Sequence, residues 1–328
     1  MSEAPAPELS VIIATHNRRE LLRRCLESLS AQTQDPATFE VIVADDGSGD
    51  GSAEMAAALS PPFPYRVLAL PKRGHSATQN AAIEIAEAAT CLLLDDDVIA
   101  SPELVAAHIE AHREIPAAIG IGAITQKPPS ARDWYAHTHA RSWNAHYEEF
   151  AFREAHWTDC YGANLSMPRW ALVEVGGVST EVPKGKDLDL AFRLCQAGCA
   201  PTYVPRAQVV HDDQKRRPRM LEDAAREGAM HLELSRRHPE RAEALLDWSD
   251  RAGSKELLLR RLLIGLRVPP ASLALAGPLV PGPERELLWY SIVRRFAFWR
   301  GVRRSVSRHT WVLVTHNHVI EAIAERLQ

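Results

Sequence analysis

The first hundred residues alternate between two kinds of segment, and this alternation constrains the fold more than any other feature. Leu9–Ala14 is nearly continuous in apolar and β-branched character, and Glu40–Ala44, Arg66–Leu70 and Cys91–Leu94 follow as further strand candidates. Short apolar runs of this kind suit strands buried on both faces, as in a parallel sheet. Between them lie segments of helical character. Arg18–Gln32 brings Leu21, Leu22, Cys25, Leu26 and Leu29 to one helical face with charges opposite. Ala53–Leu59 is a shorter stretch before the break at Pro61, Pro62 and Pro64, and Ser76–Ala89 has helix-forming composition. Strand and helix in turn predict an open α/β sheet, in which ligands bind beyond the carboxyl ends of the strands.

Two of those ends are acidic. Leu92-Leu93-Leu94 runs straight into Asp95-Asp96-Asp97, and Val41-Ile42-Val43 leads through Ala44 to Asp45-Asp46 and the small-residue turn Gly47-Ser48-Gly49. Like charges this close raise one another's pKa unless a cation or strong donors compensate, and hard divalent ions prefer oxygen ligands. The triplet therefore points to a metal bridging to a diphosphate. The alternative is a solvated turn or the N-cap of the helix that Ser101-Pro102-Glu103 opens. Asp45-Asp46 fits hydrogen bonding to a nucleobase or ribose, or an ordinary Asp-Gly turn.

Charge divides the chain. Residues 1–214 hold 17 Lys+Arg against 29 Asp+Glu, and residues 215–328 hold 21 against 13. The overall net charge of −4 gives no sign of nucleic-acid binding. Cys25, Cys91, Cys160, Cys195 and Cys199 form no two-residue pair of the zinc or redox type, so reduced, packed thiols are expected. Met1–Glu8 is polar and Pro/Ala-rich rather than signal-like, and no apolar run approaches membrane-spanning length. A cytoplasmic location is the expectation, with a peripheral contact at the inner membrane face left open.

Further motifs follow in order. Val11-Ile12-Ile13-Ala14-Thr15-His16-Asn17 precedes the two acidic clusters, and Pro102 lies five positions beyond Asp97. Later come Gly162-Ala163-Asn164-Leu165-Ser166, Gly176-Gly177, and Gly185-Lys186-Asp187-Leu188-Asp189-Leu190 with Arg193, Gly198, Pro205 and His211. Over residues 9–213 the chain resembles a family 2 glycosyltransferase of the GT-A fold; the ordered coincidence carries the resemblance rather than any single element. It implies a GT-A catalytic domain over 1–214 and a basic, mainly helical region over 215–328. It also implies roles. Asp46 binds the base of a nucleotide sugar, most simply a UDP-sugar, with Ala14, Thr15 and Asn17 framing the pocket and Gly74 and Asn80 in the loop before the fourth strand. Asp95, Asp96 and Asp97 hold the donor diphosphate through Mg²⁺ or Mn²⁺, with His211 completing the metal shell. Asp187 is the base that deprotonates an acceptor hydroxyl for attack with inversion. The resemblance assigns Asp189 no such role, and it supports the helix or orients a partner. Without the resemblance, Asp187 and Asp189 read as helix caps and His211 as a turn histidine.

Two positions depart from the family's pattern. Lys186 stands where Glu is usual, and an ammonium close to Asp187 would lower its pKa and weaken it as a base; Lys186 could instead bind an anionic acceptor or phosphate. Gln79 stands where Arg is usual, so one donor-phosphate contact is either missing or supplied from elsewhere. A nucleotidyltransferase on a similar scaffold is the rival enzyme, but Thr15-His16-Asn17-Arg18-Arg19 lacks the glycine-rich character of a triphosphate loop. A non-catalytic nucleotide-binding homologue is the other, with Lys186 in its favour.

Ala131–Phe150 is rich in Trp, Tyr and His, which suits a covering helix or an acceptor-facing wall. Met220–Arg237, Arg241–Trp248, Lys255–Leu266 and Glu284–Arg304 have helical character, and His309–Asn317 and Val319–Leu327 suggest a short strand and helix. Glu284–Arg304 combines an apolar, aromatic face with Arg294, Arg295, Arg300, Arg303 and Arg304. Such a helix packs on the protein, joins a homodimer or lies on an anionic membrane. The acceptor, be it a glycan, a lipid-linked compound or a small molecule, is not legible.

Overall fold

The computed structural model describes residues 6–127, 133–182, 185–211, 217–238, 262–263 and 266–306. By internal contacts the chain divides into one unit of Met1–Lys127 with Trp143–Asp213 and a second of Pro128–Ser142 with Gln214–Gln328.

The first unit is built on one eight-stranded mixed sheet. Its strands are β1 (Leu9–Thr15), β2 (Phe39–Asp46), β3 (Tyr65–Leu70), β4 (Thr90–Asp95), β5 (Val98–Ala100), β6 (Ala118–Gln126), β7 (Asn164–Pro168) and β8 (Ala200–His211), in the order β3-β2-β1-β4-β7-β6-β8-β5. The four strands expected from the sequence are all present and mutually parallel. β1 and β2 are buried along their whole length, as continuous apolar runs require. The chain steps outward from β1 to β2 to β3, then returns to place β4 on the other side of β1. That reversal opens a crevice beyond the carboxyl ends of β1 and β4.

Helices α1 (Arg19–Ser30), α2 (Ser52–Ala57), α3 (His75–Ile85) and α4 (Leu104–Glu114) connect these strands. α1 turns Leu22, Cys25, Leu26 and Leu29 inward, as its spacing predicts. α3 stops short of the expected Ala89 because strand side chains capture the next backbone amides. Glu87 N–H donates to Glu40 Oε1 at 2.7 Å and Ala88 N–H to Ser10 Oγ at 3.1 Å. Further along come α5 (Trp134–Glu148), α6 (Arg169–Glu174) and α7 (Lys186–Gln196). The aromatic segment thus forms a helix, and its second half clasps the end of β6. Trp143 Nε1 donates to Ile124 O at 2.6 Å, and the Asn144 amide exchanges hydrogen bonds with the Gln126 backbone.

A polar cluster lies between α4 and the sheet. His108 reaches Asn164 Oδ1 at 2.9 Å and Ser166 Oγ at 2.8 Å, and His112 reaches the same hydroxyl at 2.8 Å. Gly120 and Gly122 on β6 leave the room: a Cβ there would stand 2.3 Å from Ser166 Oγ or 2.1 Å from Asn164 Nδ2. Burial pushes both imidazoles down to about 4, so they are neutral at pH 7. The five cysteines form no disulfide, and Cys25, Cys91, Cys160 and Cys199 are buried, in agreement with the expected packed thiols.

The second unit is helical among its described residues, with α8 (Arg217–Arg237), α9 (Pro270–Ala274) and α10 (Pro283–Arg304). Tyr135, Leu221, Ala224, Ala274, Tyr290, Val293 and Ala297 form its core. α8 and α10 approach closely through reciprocal glycines: a Cβ on Gly228 would stand 2.1 Å from Phe298 O, and one on Gly301 1.7 Å from Ala225 O. The aromatic face of the arginine-rich segment is therefore packed within its own unit, and Arg294 pairs with Glu227 of α8 at 2.7 Å. The segments at Arg241–Trp248, most of Lys255–Leu266, and His309–Asn317 with Val319–Leu327 lie outside the described residues. No helix of the described residues is long and apolar enough to cross a membrane.

Candidate functional site

Strand register assembles the site. Ala14 on β1 pairs with Asp95 on β4, and Thr15 with Asp45 on β2, so the acidic strand ends lie side by side around the end of β1. Thr15 Oγ1 donates to Asp96 Oδ2 at 2.7 Å. Arg18, at the start of α1, donates from one nitrogen to Asp96 Oδ1 at 3.0 Å and Asp97 Oδ2 at 2.6 Å. Burial pushes the Asp96 carboxyl up to about 6 against the pull of Thr15 and Arg18, with Asp97 and Asp95 adding to the rise. Burial also raises the Asp95 carboxyl, with the Asp97 charge as its second cause.

Past the triplet, β5 crosses to the far edge and pairs antiparallel with β8, Val98 opposite His211. This pairing brings a residue more than a hundred positions away back to the triplet. Ligand atoms of Asp95, Asp97 and His211 all lie within 4.8 Å of one another, and His211 Nε2 is 3.4 Å from Asp97 Oδ1. Asp97 Oδ1 is buried and has no hydrogen-bond partner among the described residues. A buried carboxylate oxygen left without a donor calls for a cation. Two carboxylates and an imidazole form a donor set that fits Mg²⁺ or Mn²⁺ with coordination positions to spare for phosphate oxygens. His211 closes a strand and is half-buried, so it is no turn histidine. Asp96 faces Thr15 and Arg18 instead of joining this set.

On the β2 side, Asp46 organises the following loop. Its Oδ1 accepts from Arg73 N at 2.7 Å, Gly74 N at 3.0 Å and Thr78 Oγ1 at 3.0 Å. These donors outweigh the opposing effect of burial and hold its carboxyl below the usual range. Gly74 adopts φ +92°, open to glycine. Asn17, with φ +51°, joins the neighbouring loops by donating from its backbone to Ser48 Oγ and accepting from Gly49 N, both at 2.8 Å. Ala14 is buried in β1 beside them. Asn80 is different: its amide is engaged at both ends with the Val178 backbone, at 2.8 and 2.9 Å. It clasps the chain that leads to α7, and the sequence offered no sign of that latch.

Asp187 lies in the first turn of α7, after Gly185 at φ +72°. A Cβ on Gly162 would stand 2.7 Å from its Oδ1, so the glycine permits the main chain before β7 to lie against the carboxylate. Burial raises the Asp187 carboxyl above its ordinary range; Lys186 lowers it, and the Asp95 charge raises it again. The expected weakening by Lys186 is thus present in sign and outweighed in size. Asp189 pairs with Arg193 at 2.8 Å, and Arg193 also donates to Val175 O and Gly177 O, which supports the helix as expected. Arg18 and His75 were not singled out by sequence reasoning. Arg18 follows the end of β1, and its role became visible only once β1 and β4 were known to be neighbours.

The sequence pattern that defines glycosyl transferase family 2 matches residues 10–176, half of the chain. The chain belongs to glycosyl transferase family 2. It is 26% identical over 224 residues to the validoxylamine A glucosyltransferase of Streptomyces hygroscopicus subsp. limoneus, covering 60% of this chain and 49% of that one. It is also 25% identical over 196 residues to the glucosyl-dolichyl phosphate glucuronosyltransferase of Haloferax volcanii, covering 55% and 58%. The chain spans about half the length of the curated relatives it matches. Among solved structures, the mannosyltransferase PcManGT of Pyrobaculum calidifontis, in complex with GDP-Man and Mn²⁺, superposes with a TM-score of 0.60 at 19% identity, covering 90% of this chain and 87% of that one. S. aureus TarS 1-349 superposes with a TM-score of 0.52 at 16% identity, covering 91% and 90%. This family 2 chain has the GT-A fold with a helical C-terminal region.

Proposed function

We propose that this family 2 member transfers a sugar from a nucleotide diphosphate donor, a UDP-sugar in the first instance, to an acceptor hydroxyl with inversion. The observation that carries the reading is the Asp95, Asp97 and His211 cluster, with its unpartnered Asp97 Oδ1, in the crevice beyond β1 and β4. The charge of Asp95 acts on Asp187 in turn. Asp95, Asp97 and His211 would hold a divalent cation, which would supply the positive charge that a departing diphosphate needs.

The remaining steps belong to the chain's own groups. Asp46, with Ala14, Thr15, Asn17 and Gly74 around it, shapes the pocket for the base and ribose. Asp187, in its ionised form, takes the proton from the acceptor hydroxyl as the oxygen attacks the anomeric carbon and the diphosphate departs. A single base acting on the face opposite the leaving group would give a single, inverting displacement. The acceptor is a hydroxyl compound of unidentified class. The GDP-Man complex of the Pyrobaculum neighbour makes a GDP-sugar the second donor to consider.

Incubation with UDP-, GDP- and dTDP-sugars and Mn²⁺, following release of nucleoside diphosphate, tests the reading. One donor is expected to be turned over, and Asp187→Asn is expected to lower transfer by about 10²- to 10⁴-fold with donor binding retained. Unchanged transfer in Asp187→Asn removes the base assignment alone. Cleavage of a nucleoside triphosphate to pyrophosphate would show nucleotidyl transfer instead.

A further inference from the structure

Lys186 has no part in the reaction described above. It is the first residue of α7, one position before Asp187, and its side chain crosses to α3. There the ammonium hydrogen-bonds His75 Nδ1 and lies 3.4 Å from Gln79 Oε1. Neither partner brings a negative charge. Burial, and then the Lys186 ammonium itself, hold His75 down to about 4, so at pH 7 the ring is neutral and accepts at Nδ1. The carboxylates that act on Lys186 are Asp187 and Asp95, and among the described residues neither forms an ion pair with it.

A half-buried ammonium among neutral acceptors is costly: burial lowers the Lys186 pKa, and Asp187 and Asp95 only partly oppose it. Its place explains the cost. Lys186 directly precedes the proposed base on α7 and reaches His75, the residue after Gly74 of the loop that Asp46 holds, so it lies by the space where donor sugar and acceptor would meet. Lysine recognises a compact anion as a point charge, and the neutral Gln79 beside it leaves that charge uncompensated.

We propose that Lys186, with Gln79 beside it, forms an anion subsite next to Asp187 for a carboxylate or phosphate group borne by one of the two reacting substrates. The subsite rests on the glycosyl-transfer reading and narrows it, since a substrate that is neutral apart from the nucleotide diphosphate would leave the ammonium unpaired. A carboxylate on the donor sugar and a phosphate on the acceptor are two sources of the same chemistry, and binding measurements separate them.

Calorimetry on the full chain with Mn²⁺ first establishes which of UDP, GDP and dTDP binds, UDP being the one expected. UDP-glucuronate is then compared with UDP-glucose, and glycerol 3-phosphate with glycerol on the UDP-loaded protein. The anionic member of one pair is expected to bind about tenfold tighter or more, the worth of a charge-assisted hydrogen bond. Lys186→Gln should erase that preference and Lys186→Arg should keep it. Equal binding within both pairs overturns the proposal. So does a Lys186→Gln variant that weakens UDP itself as much as the anionic probe, because the lysine would then hold the diphosphate. Failure of UDP, GDP and dTDP alike to bind the unsubstituted protein would overturn the glycosyl-transfer reading and the subsite together, a result visible before either pair is compared.

Discussion

At the scale of single residues, Arg18 balances the acidic strand ends. Its guanidinium pairs with both Asp96 and Asp97 and is itself raised above its usual pKa, burial opposing the two carboxylates and losing to them. One of those partners belongs to the proposed metal shell, so Arg18 and a cation compete for the same negative charge. Arg18→Ala is expected to tighten Mn²⁺ binding to the nucleotide-free protein by roughly tenfold, the order of one charge interaction at a half-buried site. Titration calorimetry checks this, and weaker binding would show that Arg18 orders the ligands instead of opposing the ion. Asp187 carries a second prediction. Its carboxyl is raised by burial, and a base must be ionised to act, so activity should fall as pH drops through a midpoint above the ordinary carboxylate range. An acid limb at pH 4 or below in the pH dependence of kcat/KM would contradict it.

At the scale of elements, the contact of α4 with β7 depends on His108 and His112 remaining neutral. Their folded-state pKa of about 4 is below the ordinary histidine value of about 6.5. Between those values the unfolded chain binds the protons and the folded chain does not. Their contribution is therefore fully present above about 6.5 and is lost as pH falls toward 4. Urea midpoints are expected to decline across that window, and His112→Gln should flatten the decline; equal slopes would remove these histidines as the cause. The α8–α10 contact offers a steric test. A methyl group at Gly301 would overlap the Ala225 carbonyl oxygen, so Gly301→Ala should cost about 1–3 kcal/mol. Denaturant unfolding of the full chain measures it, and a midpoint within error of the unsubstituted protein would mean that the helices separate freely.

At the scale of the whole molecule, ligand binding and stability are linked through the first unit, which contains every proposed metal and donor contact. A ligand at about a hundred times its Kd adds about 2.7 kcal/mol to the state that binds it. UDP with Mn²⁺ is expected to raise the first unit's melting temperature by several degrees, and excess EDTA should remove most of that gain. A UDP effect of the same size in EDTA would count against a metal bridge. The asymmetry of charge seen in the sequence has its counterpart here: the acidic clusters belong to the first unit, and Arg294 and its neighbours to the second.

Local periodicity was enough to determine β1 to β4, the helices between them and the acidic strand ends, because a strand buried on both faces and an amphipathic helix each write their pattern into a few consecutive residues. Motif order added the family and the candidate residues Asp187 and His211. Only the tertiary structure decided how these groups meet. His211 reaches Asp97 through the β5–β8 pairing, α3 ends where Glu40 and Ser10 take its next amides, and Asn80 is committed to Val178. It also decided the sign at Asp187, where burial outweighs Lys186. Register and burial are set by contacts between residues far apart in the chain, and no local window of sequence carries them.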